Sequence, residues 1–176
     1  MRHARILILL TLALLLPASA ALGAARSGTP GPDRLRAKGA EPQQINGSGG
    51  GDTILGGIGS DVLLGETGND RIFGGDGDDT IYGSRGSNVV DGGAGDDYLQ
   101  GGPGDNVIGG GSGDDTVRLT GNGRNRVSTG EGDDVVQAYS RTPVTIDCGP
   151  GADRVNIGFN RKVRTSNCEV VSKRYE

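Results

Sequence analysis

The chain has 176 residues, 35 of them glycine, with two phenylalanines, no tryptophan and a formal net charge of −4. That length suits one domain, and so few aromatics leave little with which to wall a substrate pocket. Composition alone allows disorder, so the periodicity of the chain has to decide whether it folds.

The first segment, "MRHARILILLTLALLLPASAALGAA", has Arg2 and Arg5 ahead of an apolar run from Ile6 to Leu16, then Pro17 and the small residues Ala18, Ser19 and Ala20. This is the pattern of a secretory signal peptide over residues 1–20, cut after Ala20 or near Ala24. The apolar run, about eleven residues, is too short to span a bilayer, so a secreted, extracellular chain with no membrane span after cleavage is expected. Cleavage removes His3, the only histidine, and with it any Ser/His/Asp or Cys/His nucleophile system. Oxygen chemistry is what remains.

Residues 21–46 are rich in Ala, Gly and Pro and show no sustained apolar period, which predicts a flexible linker. From Gly47 the chain repeats every nine residues: GSGGGDTIL, GGIGSDVLL, GETGNDRIF, GGDGDDTIY, GSRGSNVVD, GGAGDDYLQ, GGPGDNVIG and GGSGDDTVR. Leu119 then inserts one residue, and TGNGRNRVS and TGEGDDVVQ follow, ending at Gln137.

Each unit puts an aliphatic residue at its eighth position: Ile54, Leu63, Ile72, Ile81, Val90, Leu99, Ile108, Val117, Val127 and Val136. One inward residue flanked by two outward ones is the signature of a short strand. Glycines at positions 1, 2 and 4 allow the tight turn between strands. Two units then form one coil, all-β and without helices. Ten inward aliphatics make a thin core, and residues 47–137 carry 16 acidic and 5 basic side chains, a net charge of −11. Such a stack needs a cation.

Units such as GGDGDDTIY and GGAGDDYLQ resemble the G-G-x-G-x-D-x-U-x nonapeptide of RTX (hemolysin-type) calcium-binding proteins, and the C-terminal DCGPGADRV…NCEVV resembles the ending of exported actinobacterial proteins of this repeat type. The resemblance implies a right-handed parallel β-roll in which Gly-rich turns hold Ca²⁺. Coils stacked at about 4.8 Å place an ion one Ca–O bond, about 2.3–2.6 Å, from each coil, a cage that suits Mg²⁺ poorly. The sixth position supplies the candidate ligands. One edge reads Asp61, Asp79, Asp97, Asp115 and Asp134; the other reads Asp52, Asp70, Asn88, Asn106 and Asn125. The first edge also has Asp78, Asp96, Asp114 and Asp133 at position 5, so it is expected to bind more strongly, the second weakening toward the C-terminus.

Residues 138–176 break the nonamer, although CGPGADRVN echoes it, and are predicted to form a short β cap. Cys148 and Cys168 are the only cysteines and, in an exported chain, are expected to form a disulfide. The expected function is a secreted, non-enzymatic calcium-binding module with a structural or interaction role, its roll folding on binding Ca²⁺. No nucleic-acid partner is expected. Two alternatives stand beside it: a calcium-dependent adhesin or matrix component recognising a cell-surface partner, and a hydrolase using paired carboxylates. Leu55, Leu64, Phe73 and Tyr82 at position 9 bear on the first, either as an outward apolar patch or packed beneath the linker or the cap.

Overall fold

The computed structural model describes residues 25–158 and 162–173; the expected signal peptide lies outside them. Every regular element among them is a strand. In chain order these are β1 (Arg26–Ser27), β2 (Arg34–Arg36), β3 (Gln44–Asn46), β4 (Thr53–Ile58), β5 (Val62–Leu64) and β6 (Arg71–Asp76). Next come β7 (Thr80–Tyr82), β8 (Val89–Ala94), β9 (Tyr98–Gln100), β10 (Val107–Ser112), β11 (Thr116–Leu119) and β12 (Asn125–Glu131). The last are β13 (Val135–Ala138), β14 (Val144–Asp147), β15 (Arg154–Ile157), β16 (Val163–Ser166) and β17 (Val170–Lys173).

Odd-numbered strands form a nine-stranded sheet and even-numbered strands an eight-stranded one, each in chain order. All pairs are parallel: Ile54 lies beside Ile72 and Leu63 beside Ile81. The chain therefore winds as a β-solenoid, each coil giving one strand to each sheet. The fold class expected from the repeat, an all-β parallel β-roll, is the one observed.

The core is a double column of the eighth-position residues, from Ile54 through Val136, none more than 1% exposed. Ile45 extends it at one end, and Ile146 and Val155 at the other. Alternation does the sorting: in Thr80–Ile81–Tyr82 only the middle residue is fully buried. Between strands the backbone turns through conformations that a side chain would oppose. Gly77 sits at φ 117°, and a Cβ there would stand 2.7 Å from the Gly59 carbonyl carbon one coil below.

The linker expectation for residues 21–46 is corrected over residues 25–46. Residues 28–36, GTPGPDRLR, form a nonapeptide turn and strand, with Gly28, Gly31, Asp33 and Leu35 at the repeat positions. Leu35 and Ile45 pair with Ile54 and Leu63, so this stretch opens the solenoid. Pro30 and Pro32 fall in the turn, where no ladder N–H is required. The apolar patch at position 9 also divides. Leu55 lies beside Phe73 in one sheet and Leu64 beside Tyr82 in the other, so the four do not share a surface.

Residues past 137 continue both sheets through β14–β17. Cys148 and Cys168 form a disulfide that ties two successive coils. The inserted Leu119 has a structural role. It changes the step between coils from 18 residues to 19, pairs with Ala138, and is 2% exposed, so it adds an apolar column continued by Ala138 and Ile157.

Candidate metal centre

The sixth residue of each unit ends a turn just before a strand, and its side chain folds beneath the coil instead of into solvent. Asp61, Asp79, Asp97, Asp115 and Asp134 are each 1–2% exposed. They are joined coil to coil by one repeated contact. The backbone N–H of Asp61 donates to Asp79 Oδ1 at 2.7 Å, that of Asp79 to Asp97 Oδ1 at 2.7 Å, and that of Asp97 to Asp115 Oδ1 at 2.9 Å. Asp115 donates likewise to Asp134.

That contact uses one carboxylate oxygen and leaves the other. Oδ2 of Asp52, Asp61, Asp70, Asp79, Asp97, Asp115, Asp134 and Asp153 is buried and has no hydrogen-bond partner. An unpaired buried polar atom costs about 1–3 kcal/mol, and more when charged. Eight in two columns point to a missing partner of opposite charge.

From Asp52 to Asp115 the glycine at position 1 shapes the space against which the orphaned oxygen lies, whereas Thr129 and Cys148 hold that position for Asp134 and Asp153. A Cβ built on Gly65 would stand 2.5 Å from Asp70 Oδ2 and 2.7 Å from the carbonyl oxygen of Gly83, one coil on. On Gly74 it would collide with Asp79 Oδ2 and the Gly92 carbonyl oxygen, and on Gly110 with Asp115 Oδ2 and the Thr129 carbonyl oxygen. Carboxylate and next-coil carbonyl thus converge on one place that only glycine leaves open. Oxygen donors drawn from two coils are the donor set of a hard cation such as Ca²⁺.

Among the described residues no three His, Cys, Asp or Glu side chains gather as a metal cage. The arrangement offers at most one sixth-position carboxylate per coil on each edge, with backbone carbonyl oxygens beside it, so that outcome fits it. Burial pushes Asp79 and Asp115 up to about 7 and Asp97 to about 6, from an ordinary 3.8. A backbone hydrogen bond opposes the rise in each case, and neighbouring aspartates add to it. Asp61, Asp70, Asp134 and Asp153 are raised by the same burial. The columns are short of positive charge.

The other edge begins in the same way and then changes. Asp52 N–H donates to Asp70 Oδ1 at 2.8 Å and Asp70 N–H to Asn88 Oδ1 at 2.9 Å, so the ladder persists. Asn88 and Asn106, expected as weaker ligands, carry an amide nitrogen where the aspartates carry the orphaned oxygen. Asn88 Nδ2 donates to the Gly101 carbonyl at 3.2 Å, and Asn106 Nδ2 to the Gly102 and Gly104 carbonyls at 3.0 Å each. The fifth-position aspartates Asp78, Asp96, Asp114 and Asp133 form an exposed outer ladder: Asp114 N–H, for example, donates to Asp96 Oδ1 at 2.8 Å.

Four residues in the columns were missed from sequence. Asp33 precedes Asp52, Gln43 precedes Asp61, and Asp153 then Glu169 follow Asp134. For two of them the spacing carries the signal: Asp33 in GTPGPDRLR and Asp153 in CGPGADRVN both stand at position 6. They are not equivalent. Asp33 Oδ2 accepts from Thr29 N–H at 2.6 Å and Thr29 Oγ at 2.9 Å, whereas Asp153 Oδ2 is orphaned like the others.

No curated protein matches the chain. The family described as RTX calcium-binding nonapeptide repeat matches it in four copies, over residues 46–81, 55–90, 82–117 and 119–140. Those stretches hold the glycine turns, the orphaned carboxylates from Asp52 to Asp134 and most of the core column. The chain belongs to the RTX calcium-binding nonapeptide-repeat family.

Proposed function

We propose that this chain is an exported protein whose roll takes up Ca²⁺ between coils and becomes fully ordered by doing so, serving outside the cell as a structural or interaction module. The observation that carries the reading is the set of buried, unpartnered Oδ2 atoms, those of Asp52, Asp61, Asp70, Asp79, Asp97 and Asp115 each facing a backbone carbonyl of the next coil across a glycine.

Asp61, Asp79, Asp97 and Asp115 on one edge, and Asp52 and Asp70 on the other, would hold the ion with the first-position carbonyls. Bound Ca²⁺ supplies the positive charge that these carboxylates lack and accepts their free lone pairs. The chain's own part is to fix the donors. Each Oδ1 is tied to the coil before it, so each Oδ2 is held in place and pays little ordering entropy on binding. Because the donors come from different coils, the set does not exist in the unfolded chain, and binding free energy becomes folding free energy. Export is supported by residues 1–20. It fits an affinity of about 10⁻⁴–10⁻³ M, usual for extracellular calcium modules.

Circular dichroism during a calcium titration into chelator-treated mature protein tests the coupling. A rise in β signal with calcium is expected. A full β spectrum in chelator, unmoved by calcium, would overturn it. Fractionation of expressing cells tests export: mature-length chain should collect in the medium or envelope, and uncleaved chain retained in the cytoplasm refutes it.

A further inference from the structure

The two edges of the roll are not held in the same way. On the edge running through Asp33, Asp52 and Asp70, the buried sixth-position column continues as Asn88, Asn106 and Asn125 and then as Val144. Carboxylate gives way to amide, and amide to aliphatic. The column just beyond the short strands changes in step: where Gly101 follows Gln100, Leu119 follows its partner Arg118, with Ala138 and Ile157 in register beyond it. Where glycine left space, Leu119 and its successors fill it with buried apolar side chains.

The three asparagines use both amide atoms. Asn88 Oδ1 accepts from Asp70 N–H at 2.9 Å while Nδ2 donates to the Gly101 carbonyl. Asn106 Oδ1 accepts from Asn88 N–H at 2.9 Å, and Nδ2 donates to two carbonyls and to Asn125 Oδ1. Asn125 Oδ1 also accepts from Asn106 N–H at 3.1 Å, and its Nδ2 reaches the Gly123 carbonyl at 3.3 Å. The amides cannot be turned round, since the reversed amide would set an NH₂ against a backbone N–H. At Asn88 a neutral N–H donor thus faces the next-coil carbonyl that a cation would otherwise face, while Asn106 and Asn125 hold their Nδ2 on carbonyls of their own turns. None of these side chains is left with an orphaned atom, in contrast to Asp52 and Asp70 on the same edge.

We infer that Asn88, Asn106 and Asn125 form a seam closed to calcium, in which the amide N–H stands in for the ion, so that this edge takes calcium only in its Asp52–Asp70 section. The inference rests on the calcium reading above and divides it: coils on the seam side are joined by neutral hydrogen bonds and by Leu119, Ala138 and Ile157, and do not require the ion there.

Equilibrium dialysis of ⁴⁵Ca²⁺ against the full mature chain, with thermal melts in chelator and in calcium, tests it. Asn88→Asp exposes an oxygen where Nδ2 stood, so it should bind about one more equivalent than wild type and melt lower in chelator, recovering in calcium. Asn106→Asp is the second variant and should behave alike. Asn88→Ala removes the stand-in without creating a ligand: the number of ions bound should not change, while the melt in chelator falls. A loss of bound calcium in Asn88→Ala would make Asn88 a ligand and overturn the seam, as would no gain in both Asp variants. A wild type that binds no calcium overturns the parent reading, and the seam with it.

Discussion

Asp97→Asn transplants the amide of the closed seam into the open edge. In the native protein Asp97 Oδ1 accepts from Asp79 N–H at 2.7 Å, Oδ2 is orphaned, and burial lifts the carboxyl to about 6. An amide keeps the first contact and turns its NH₂ toward the Gly110 carbonyl oxygen, which shares the space over Gly92 with Oδ2. Satisfying a buried orphaned atom is worth about 1–3 kcal/mol, so in chelator the variant should be more stable than wild type by that order. In calcium that advantage shrinks. With the ion at tenfold its dissociation constant, each site adds about 1.4 kcal/mol to the folded state, and the variant forgoes at least one site. Urea unfolding followed by circular dichroism, in chelator and in millimolar calcium, measures both quantities. The reasoning fails if calcium stabilises Asp97→Asn as much as wild type, or if the variant is the weaker of the two in chelator.

Acidity should act on the calcium-free roll through the same carboxylates. Asp79, Asp97 and Asp115 have folded values of about 6 to 7 against 3.8 unfolded, so their contribution is complete below about pH 4 and is lost as pH rises through 6 to 7. Chelator-treated protein should therefore melt higher at pH 5 than at pH 8, while calcium affinity, measured by titration calorimetry, should be weaker at pH 5, where protons hold the ligands. Gly74→Ala puts a methyl against Asp79 Oδ2 and the Gly92 carbonyl, and should lower calcium affinity by dialysis far more than Gly57→Ala, whose Cβ would meet nothing within 4 Å. Gly57 sits at φ 103°, so the control isolates backbone strain from blocked space. Reducing Cys148–Cys168, which spans 20 residues, should cost about 3 kcal/mol, read as faster hydrogen exchange confined to β14–β17.

The sequence by itself determined the repeat unit, and with it the coil, the inward column from Ile54 to Val136, and the sixth-position aspartates. These are legible because a solenoid is close to one-dimensional: each residue's environment is set by its place in the unit and by neighbours one coil away. The same regularity hid what departs from it. Residues 28–36 carry the pattern, yet their Pro and Ala surroundings look like a linker, and only the pairing of β2 with β4 shows that they fold. The insertion of Leu119 was visible, but its burial against Ala138 was not, since an extra residue gives no sign of which way it points. Asparagine at position 6 reads from sequence as a weaker oxygen ligand. Only tertiary structure decided that its oxygen already holds the coil before it and that its nitrogen faces a carbonyl, because a side-chain amide is donor and acceptor at once and its neighbours choose between them.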